Sequence, residues 1–109
     1  MGWIGFDVDK TLAEALGNYI PGEIGAPIEE MVDRLLNLLY QGTEIRIFTA
    51  RVHSGNPDRE VERQAISDWC SDNIGFRFPI TAEKDSDLLY FFDDKGRQVV
   101  PNTGEVVGE

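Results

Sequence analysis

Carboxylates follow apolar runs at two distant points in the chain. Asp7 and Asp9 lie at the end of WIGFDVD, and Asp93 and Asp94 directly follow LLYFF. A carboxylate at the end of a buried strand is costly unless something binds it. Oxygen ligands without histidine or cysteine favour Mg²⁺ over zinc or copper, and Mg²⁺ held by a few carboxylates keeps positions for water and phosphate. We therefore expect these aspartates to form a magnesium site.

A threonine and a lysine add groups that suit phosphate oxygens. Thr49 ends the apolar run of EIRIFT, and Lys84 lies in the polar segment TAEKDSD that precedes LLYFF. Together with backbone N–H groups they would bind phosphate, and such a site promotes phosphoryl transfer by positioning and electrostatic stabilisation. Arg51 follows Thr49 closely and has two interpretations, a contact with substrate phosphate or a surface salt bridge.

The elements that must position these residues follow from hydrophobic periodicity and helix-end signals. Pro27 suits the first position of one helix, which Gly42 would end, and Asn56 and Pro57 suit the start of a second helix, which Gly75 would end. LLYFF is a continuous apolar run, typical of a strand buried on both faces. RQVVP follows only the short link DDKGR, so it would be antiparallel or a weak edge strand. The predicted strands are Trp3 to Val8, EIRIFT, FRFPI, LLYFF and RQVVP.

This order of elements predicts an α/β protein. We expect a three-layer Rossmann-like sandwich with a mainly parallel sheet of about five strands. The 109 residues are too few for a second core, so the prediction is a single domain over 1–109. In an open parallel sheet the carboxyl ends of neighbouring strands line one crevice, which would gather the aspartates, Thr49 and Lys84 although they lie far apart in sequence.

Composition and charge exclude some classes of function. The net charge of −10, from 20 acidic and 10 basic residues, argues against a non-specific nucleic-acid binder, which needs a basic surface. No apolar run approaches the length of a membrane span, and the N-terminus shows no signal-peptide pattern. The lone cysteine, Cys70, reads as a small buried hydrophobe and favours a cytoplasmic protein.

Four short motifs give a specific resemblance. DVDKTL resembles the D-x-D-x-T motif of the haloacid dehalogenase (HAD) superfamily of phosphohydrolases, and RIFTA resembles its second motif. The lysine of TAEKD resembles the third motif, and FFDD resembles the fourth. The motifs occur in the family's order from Phe6 to Asp94, as in small HAD-like proteins of bacteria and phages. The resemblance implies a HAD-like fold, here without room for a cap domain.

The resemblance also implies catalytic roles. Asp7 would be the nucleophile that forms an aspartyl-phosphate, and Asp9 the general acid and then the base that activates water. Thr49 would hydrogen-bond a phosphate oxygen. Lys84 would neutralise the nucleophile and the transferring phosphoryl group.

The fourth motif would hold the Mg²⁺ ion. Asp93 would bind it together with the Asp7 carboxylate and the Asp9 backbone carbonyl, and Asp94 would assist directly, through water or by orienting Lys84. The family usually has glycine where this chain has Lys10, and glycine permits unusual backbone angles there.

The function expected from these features is a Mg²⁺-dependent phosphatase. Its substrate would be a phosphorylated small molecule, with nucleotides as one class, and an open capless site would leave room for a homo-oligomer in which a partner subunit acts as the lid. Two alternatives remain: a catalytically silent HAD-like scaffold or regulatory subunit, and a receiver-like signalling domain. In a receiver the acidic pair lies on the first strand and the phosphorylated aspartate on a later one, which is the wrong order for this chain.

Overall fold

The computed structural model describes residues 2–109, which form a parallel four-stranded sheet and two α-helices. All pairings within the sheet are parallel, as predicted for the first strands. Neither described helix is long and apolar enough to cross a membrane. The elements are β1 (Trp3–Phe6), α1 (Glu29–Tyr40), β2 (Glu44–Phe48), a 3₁₀ helix (Ala50–Val52), α2 (Arg59–Asn73), β3 (Ile80–Thr81) and β4 (Leu88–Phe92).

Both α-helices pack on the same face of the sheet. The strand order is β3-β2-β1-β4, so the β1-α1-β2 and β2-α2-β3 units run toward the same edge. Because such crossovers are right-handed, they place their helices on one side. The described residues therefore form two layers of regular structure rather than the three predicted. One core joins alternate residues of the strands to both helices: Ile4, Phe6, Ile45 and Ile47 from β1 and β2, Val32 and Leu35 from α1, and Ile66 and Cys70 from α2.

Both helices begin two residues later than predicted, at Glu29 instead of Pro27 and at Arg59 instead of Pro57, and both end just before the predicted glycines, Gly42 and Gly75. α1 begins at Glu29, with acidic side chains in its first turn that favour the positive end of the helix dipole, and Gly42 follows its end with φ +86°. α2 begins at Arg59 because Pro57 lies in a turn, where the Asn56 side chain accepts a hydrogen bond of 3.0 Å from the Asp58 backbone N–H.

β4 corrects the expectation that LLYFF is buried on both faces. It is an edge strand of the sheet, and the consecutive side chains of Leu89, Tyr90 and Phe91 are all exposed. Its last residue, Phe92, packs on the helix side and stacks against Phe6 with ring centroids 4.7 Å apart. A continuous apolar run is typical of a central strand, but here no described helix covers the opposite face.

RQVVP is not a fifth strand of the sheet, which corrects a second expectation. Val99 forms an isolated antiparallel bridge with Val106, and the chain reverses between them through Pro101-Asn102-Thr103-Gly104. Asn102 and Gly104 take the positive φ values of this reversal, +66° and +76°. The tail therefore satisfies its own backbone groups locally and does not extend the sheet.

Candidate active site

The carboxyl ends of the strands open into a cleft of about 440 Å³. Its position is the one that the parallel topology predicts for a ligand site. Every candidate site residue identified from the sequence lines this cleft, although these residues span most of the chain: Asp7, Asp9, Thr49, Arg51, Lys84, Asp93 and Asp94.

Three aspartates form what we call the acidic cluster. One carboxylate oxygen from each of Asp7, Asp93 and Asp94 lies within 4.8 Å of the others. Asp7 directly follows β1, and the other two directly follow β4, the neighbour of β1 in the sheet. Because the cluster offers only oxygen donors and is partly open to solvent, its chemistry fits a hard divalent cation such as Mg²⁺.

Burial and the hydrogen bonds within the cluster shift the pKa values of Asp7 and Asp93. Burial raises the pKa of Asp7 to about 7, and its hydrogen bond and charge repulsion with Asp93 add to the effect. Burial works against the ionised form of Asp93, but hydrogen bonds from Asp7 and from the N–H groups of Lys95 and Gly96 outweigh it and lower the pKa of Asp93. Without a cation, Asp7 therefore keeps its proton to a pH far above the ordinary range of an aspartate, up to about neutral pH.

Asp9 belongs to a different arrangement, which we call the Arg51 clamp (Arg51, Asp9 and Glu62). Arg51 donates from Nε to Oδ2 of Asp9 at 2.8 Å and from Nη2 to Oδ1 at 2.7 Å. Its Nη1 donates to Oε1 of Glu62 at 2.9 Å. Arg51 is only 8 % exposed, so this is not the surface salt bridge considered from the sequence. The hydrogen bonds with Asp9 chiefly raise the pKa of Arg51 above its ordinary value.

The clamp also fixes the segment between β1 and α1. Glu62 is fully buried and accepts hydrogen bonds from the Tyr19 hydroxyl and from the Gly22 N–H, the latter at 2.7 Å. Arg51 adds a bond of 2.9 Å to the Glu23 carbonyl. The segment between β1 and α1 is thus tied to the core through the buried side chains of Arg51 and Glu62.

Glu62 is a residue that sequence reasoning missed. The apolar residue beside it, Val61, is 55 % exposed, whereas the buried residues of α2 are Glu62, Ile66 and Cys70. The available signal was the four-residue spacing of these three positions. A glutamate on that face indicates a buried partner, and Arg51 is that partner.

Thr49 and Lys84 differ in how firmly they are held. Thr49 is buried, directly follows β2, and its Oγ1 accepts a hydrogen bond of 3.2 Å from the Arg51 N–H at the start of the 3₁₀ helix. Lys84 lies on the exposed loop between β3 and β4. Both line the cleft, one as a fixed group and the other on a solvent-exposed loop.

Lys10 adopts the turn that a glycine would favour. Its φ of +65° lies in the left-handed region, and its N–H donates to the Ala13 carbonyl at 2.8 Å. The Val8 carbonyl accepts from the N–H groups of Leu12 and Ala13 in the same turn. The chain therefore forms a left-handed turn after Asp9 with a lysine in place of glycine.

Comparison of the chain with family models, curated proteins and solved structures gives no match. The resemblance to the HAD superfamily therefore rests on the four sequence motifs. What the chain does must be argued from the cleft itself.

Proposed function

We propose that the protein is a Mg²⁺-dependent phosphohydrolase that cleaves phosphomonoesters through an aspartyl-phosphate on Asp7. The observation that carries the proposal is the acidic cluster, which opens into the same cleft as Thr49 and Lys84. Metal-binding carboxylates beside a hydroxyl and an ammonium group suit a phosphoryl group better than a neutral substrate. The motif resemblance to HAD phosphohydrolases points to the same chemistry.

Asp7 would act as the nucleophile. Asp7, Asp93 and Asp94 would hold Mg²⁺, which when bound would neutralise charge on the carboxylates and the phosphoryl oxygens. An Asp7 oxygen would attack phosphorus, so that the new Asp7–phosphorus bond forms as the bond to the leaving oxygen breaks. Lys84 and Thr49 would stabilise the charge on the transferring group.

Asp9 would serve the proton transfers. It would take a proton from the water that hydrolyses the aspartyl-phosphate, and give a proton to the leaving oxygen in the preceding step. Both Asp9 oxygens accept hydrogen bonds from Arg51. Proton transfer through Asp9 therefore requires one of these bonds to open or to lengthen.

The test is phosphate release from p-nitrophenyl phosphate and a panel of nucleotides in the presence of Mg²⁺. Asp7→Asn is expected to lower turnover by about a thousandfold or more, because the amide is not a nucleophile. Asp72→Asn is the matched control, since Asp72 is an exposed aspartate on α2 outside the cleft. Activity that survives Asp7→Asn undiminished would contradict the mechanism.

The second candidate is a catalytically silent scaffold or regulatory subunit. The observation that favours it is the Arg51 clamp, which occupies both oxygens of the carboxylate that would move protons. This candidate predicts no heat of Mg²⁺ binding in calorimetry and no turnover on a broad panel of phosphomonoesters. Mg²⁺ binding with turnover would exclude it.

A further inference from the structure

Two aromatic side chains form one wall of the cleft. Phe48 at the end of β2 and Phe91 of β4 line it together with the acidic cluster, Thr49 and Lys84. The two rings meet edge to face, with centroids 5.2 Å apart and planes at 84°. Phe91 is 39 % exposed. We call Phe48 and Phe91 the aromatic wall.

The wall belongs to the face of the sheet that the helices leave uncovered. On that face Trp3 is sealed: Arg46 lies 4.7 Å above its ring, and its Nε1 donates to Asp85 at 2.8 Å. Trp3 is fully buried, whereas Phe91 on the same face is not. On this face of the sheet the chain therefore covers Trp3, which lies away from the cleft, and leaves Phe91, which lines the cleft, exposed.

A glycine lets the rings lie together. A Cβ atom on Gly5 would come within 3.0 Å of the Phe48 Cβ and of the Trp3 ring, and within 3.3 Å of the Phe91 Cβ. Any larger residue would force these neighbours apart. The close contact of β1, β2 and β4 at this point thus depends on the absence of a side chain in the middle strand.

We propose that the aromatic wall binds a planar aromatic group of the substrate, so that the substrate class is a phosphomonoester that carries such a ring. This inference rests on the proposed function, because the cleft that holds the wall also holds the residues assigned to the phosphate. An exposed phenylalanine ring gains by stacking or edge contact with another aromatic ring, independently of hydrogen bonding. A nucleobase and a simple arene can both make this stacking or edge contact.

Two matched substrate pairs separate ring binding from leaving-group chemistry. 5′-AMP and ribose 5-phosphate share the same leaving oxygen and differ in the base, and 2-phenylethyl phosphate and butyl phosphate are both primary alkyl esters that differ in the ring. The wild-type protein is expected to favour the aromatic member by about tenfold in kcat/KM, in line with a single stacked base. Preference within the first pair only assigns the wall to a nucleobase, and preference within both assigns it to aromatic rings in general.

Variants of Phe91 test whether the wall causes the preference. Phe91→Ala is expected to bring the kcat/KM ratio within each pair close to one, and Phe91→Leu, which keeps apolar volume without a ring, to lower it as well. Tyr90→Ala is the matched control, because Tyr90 is the adjacent aromatic residue of β4, is also exposed (48 % against 39 % for Phe91) and lies outside the cleft. Its ratios should equal those of the wild type, and a thermal melt of each variant verifies folding.

The possible failures are distinct. Equal kcat/KM within both pairs for the wild type would contradict the inference and leave the proposed function intact. A Phe91→Ala variant that lowers all four substrates by one common factor would show that Phe91 only supports the fold, which also contradicts the inference. Turnover of none of the four would contradict the proposed function, and the inference with it.

Discussion

The acidic cluster and the Arg51 clamp are neighbours in one cleft, yet their carboxylates differ in whether a side chain pairs with them. In the clamp, the carboxylates of Asp9 and Glu62 share a cation that the chain itself provides. In the acidic cluster, three carboxylates converge with no ion pair to a cation among residues 2–109, and burial together with the neighbouring carboxylates raises the pKa of Asp7 to about 7. Residues of the chain neutralise the first set of charges, and the second set is the one that we propose to bind Mg²⁺.

The carboxylates of the Arg51 clamp stabilise the fold, whereas those of the acidic cluster are the ones that we propose to bind an ion. Glu62 is fully buried, so its cation must be present whenever the protein is folded. Asp93 and Asp94 are exposed, and water can solvate them when no ion is bound. Breaking the clamp should therefore cost stability, whereas breaking the cluster should cost ion binding.

The largest effect is expected from the clamp. Arg51→Met leaves the buried Glu62 carboxylate without its cation, and we expect the free energy of unfolding to fall by about 3–5 kcal/mol in urea denaturation. Arg77→Met is the control, because Arg77 pairs with Asp68 at the surface and should matter far less.

A double variant sharpens this prediction. Arg51→Met combined with Glu62→Leu removes the buried charge together with its partner, so it should be more stable than Arg51→Met alone. A double variant that is no more stable than the single one would show that the clamp's contribution does not come from the pairing of Arg51 with Glu62.

The acidic cluster should respond to Mg²⁺ instead. At ten times its dissociation constant, Mg²⁺ should stabilise the wild type by about 1.4 kcal/mol, because it binds only the folded chain. Asp93→Asn should abolish this shift of the melting temperature, and Asp72→Asn, which lies outside the cluster, should retain it. An equal shift in the wild type and in Asp93→Asn would contradict the assignment of the site.

The pH dependence of stability should separate the two regions further. Burial raises the pKa of Asp7 in the folded state from its ordinary value of 3.8 to about 7. The stability that Asp7 contributes is therefore complete below about pH 3.8 and is lost as the pH rises through about 7. In metal-free protein, the stability of wild type relative to Asp7→Asn should therefore fall by about 1 kcal/mol between about pH 5 and pH 8, allowing for solvent screening. With saturating Mg²⁺, the stability of the wild type relative to Asp7→Asn should instead rise with pH, since the cation favours the ionised carboxyl.

The smallest effect is expected at Lys10, in the turn that follows Asp9. Lys10→Gly relieves a left-handed backbone in a residue with a Cβ atom and should stabilise the protein by about 1 kcal/mol or less. Asn102 has almost the same φ, +66°, but asparagine tolerates it, so Asn102→Gly should change the melting temperature less. A destabilised Lys10→Gly would mean that the lysine side chain makes a contribution larger than the backbone strain.

The sequence predicted the parts of the fold that local chemistry determines. Periodicity and end signals located both α-helices and the strands before Asp7, Thr49 and Asp93, and the parallel topology then accounts for the cleft that these residues line. The predicted burial of Cys70 is confirmed, and burial raises the pKa of its thiol to about 12.

The errors arose where a pattern depends on what packs against it. LLYFF has the composition of a central strand, but β4 lies at the edge of the sheet and no described helix covers the face that carries Phe91, so Tyr90 and Phe91 are exposed. RQVVP has strand-forming residues, but the reversal through Asn102 pairs it with the following segment instead. Arg51 and Glu62 could not be paired in advance, because the pairing depends on which face of α2 meets the 3₁₀ helix.

The central claim is that Asp7 becomes covalently phosphorylated. The most direct measurement is mass spectrometry of the Asp9→Asn variant, quenched in acid after incubation with Mg²⁺ and p-nitrophenyl phosphate, whose phenolate can leave without the proton that Asp9 would give. Loss of the base that activates water should let the aspartyl-phosphate accumulate, and peptide mapping should place one phosphoryl group on Asp7. The double variant Asp7→Asn with Asp9→Asn should carry none. A phosphoryl group on Asp93 or Asp94, or hydrolysis by the wild type with no phosphorylated species in either variant, would contradict the account.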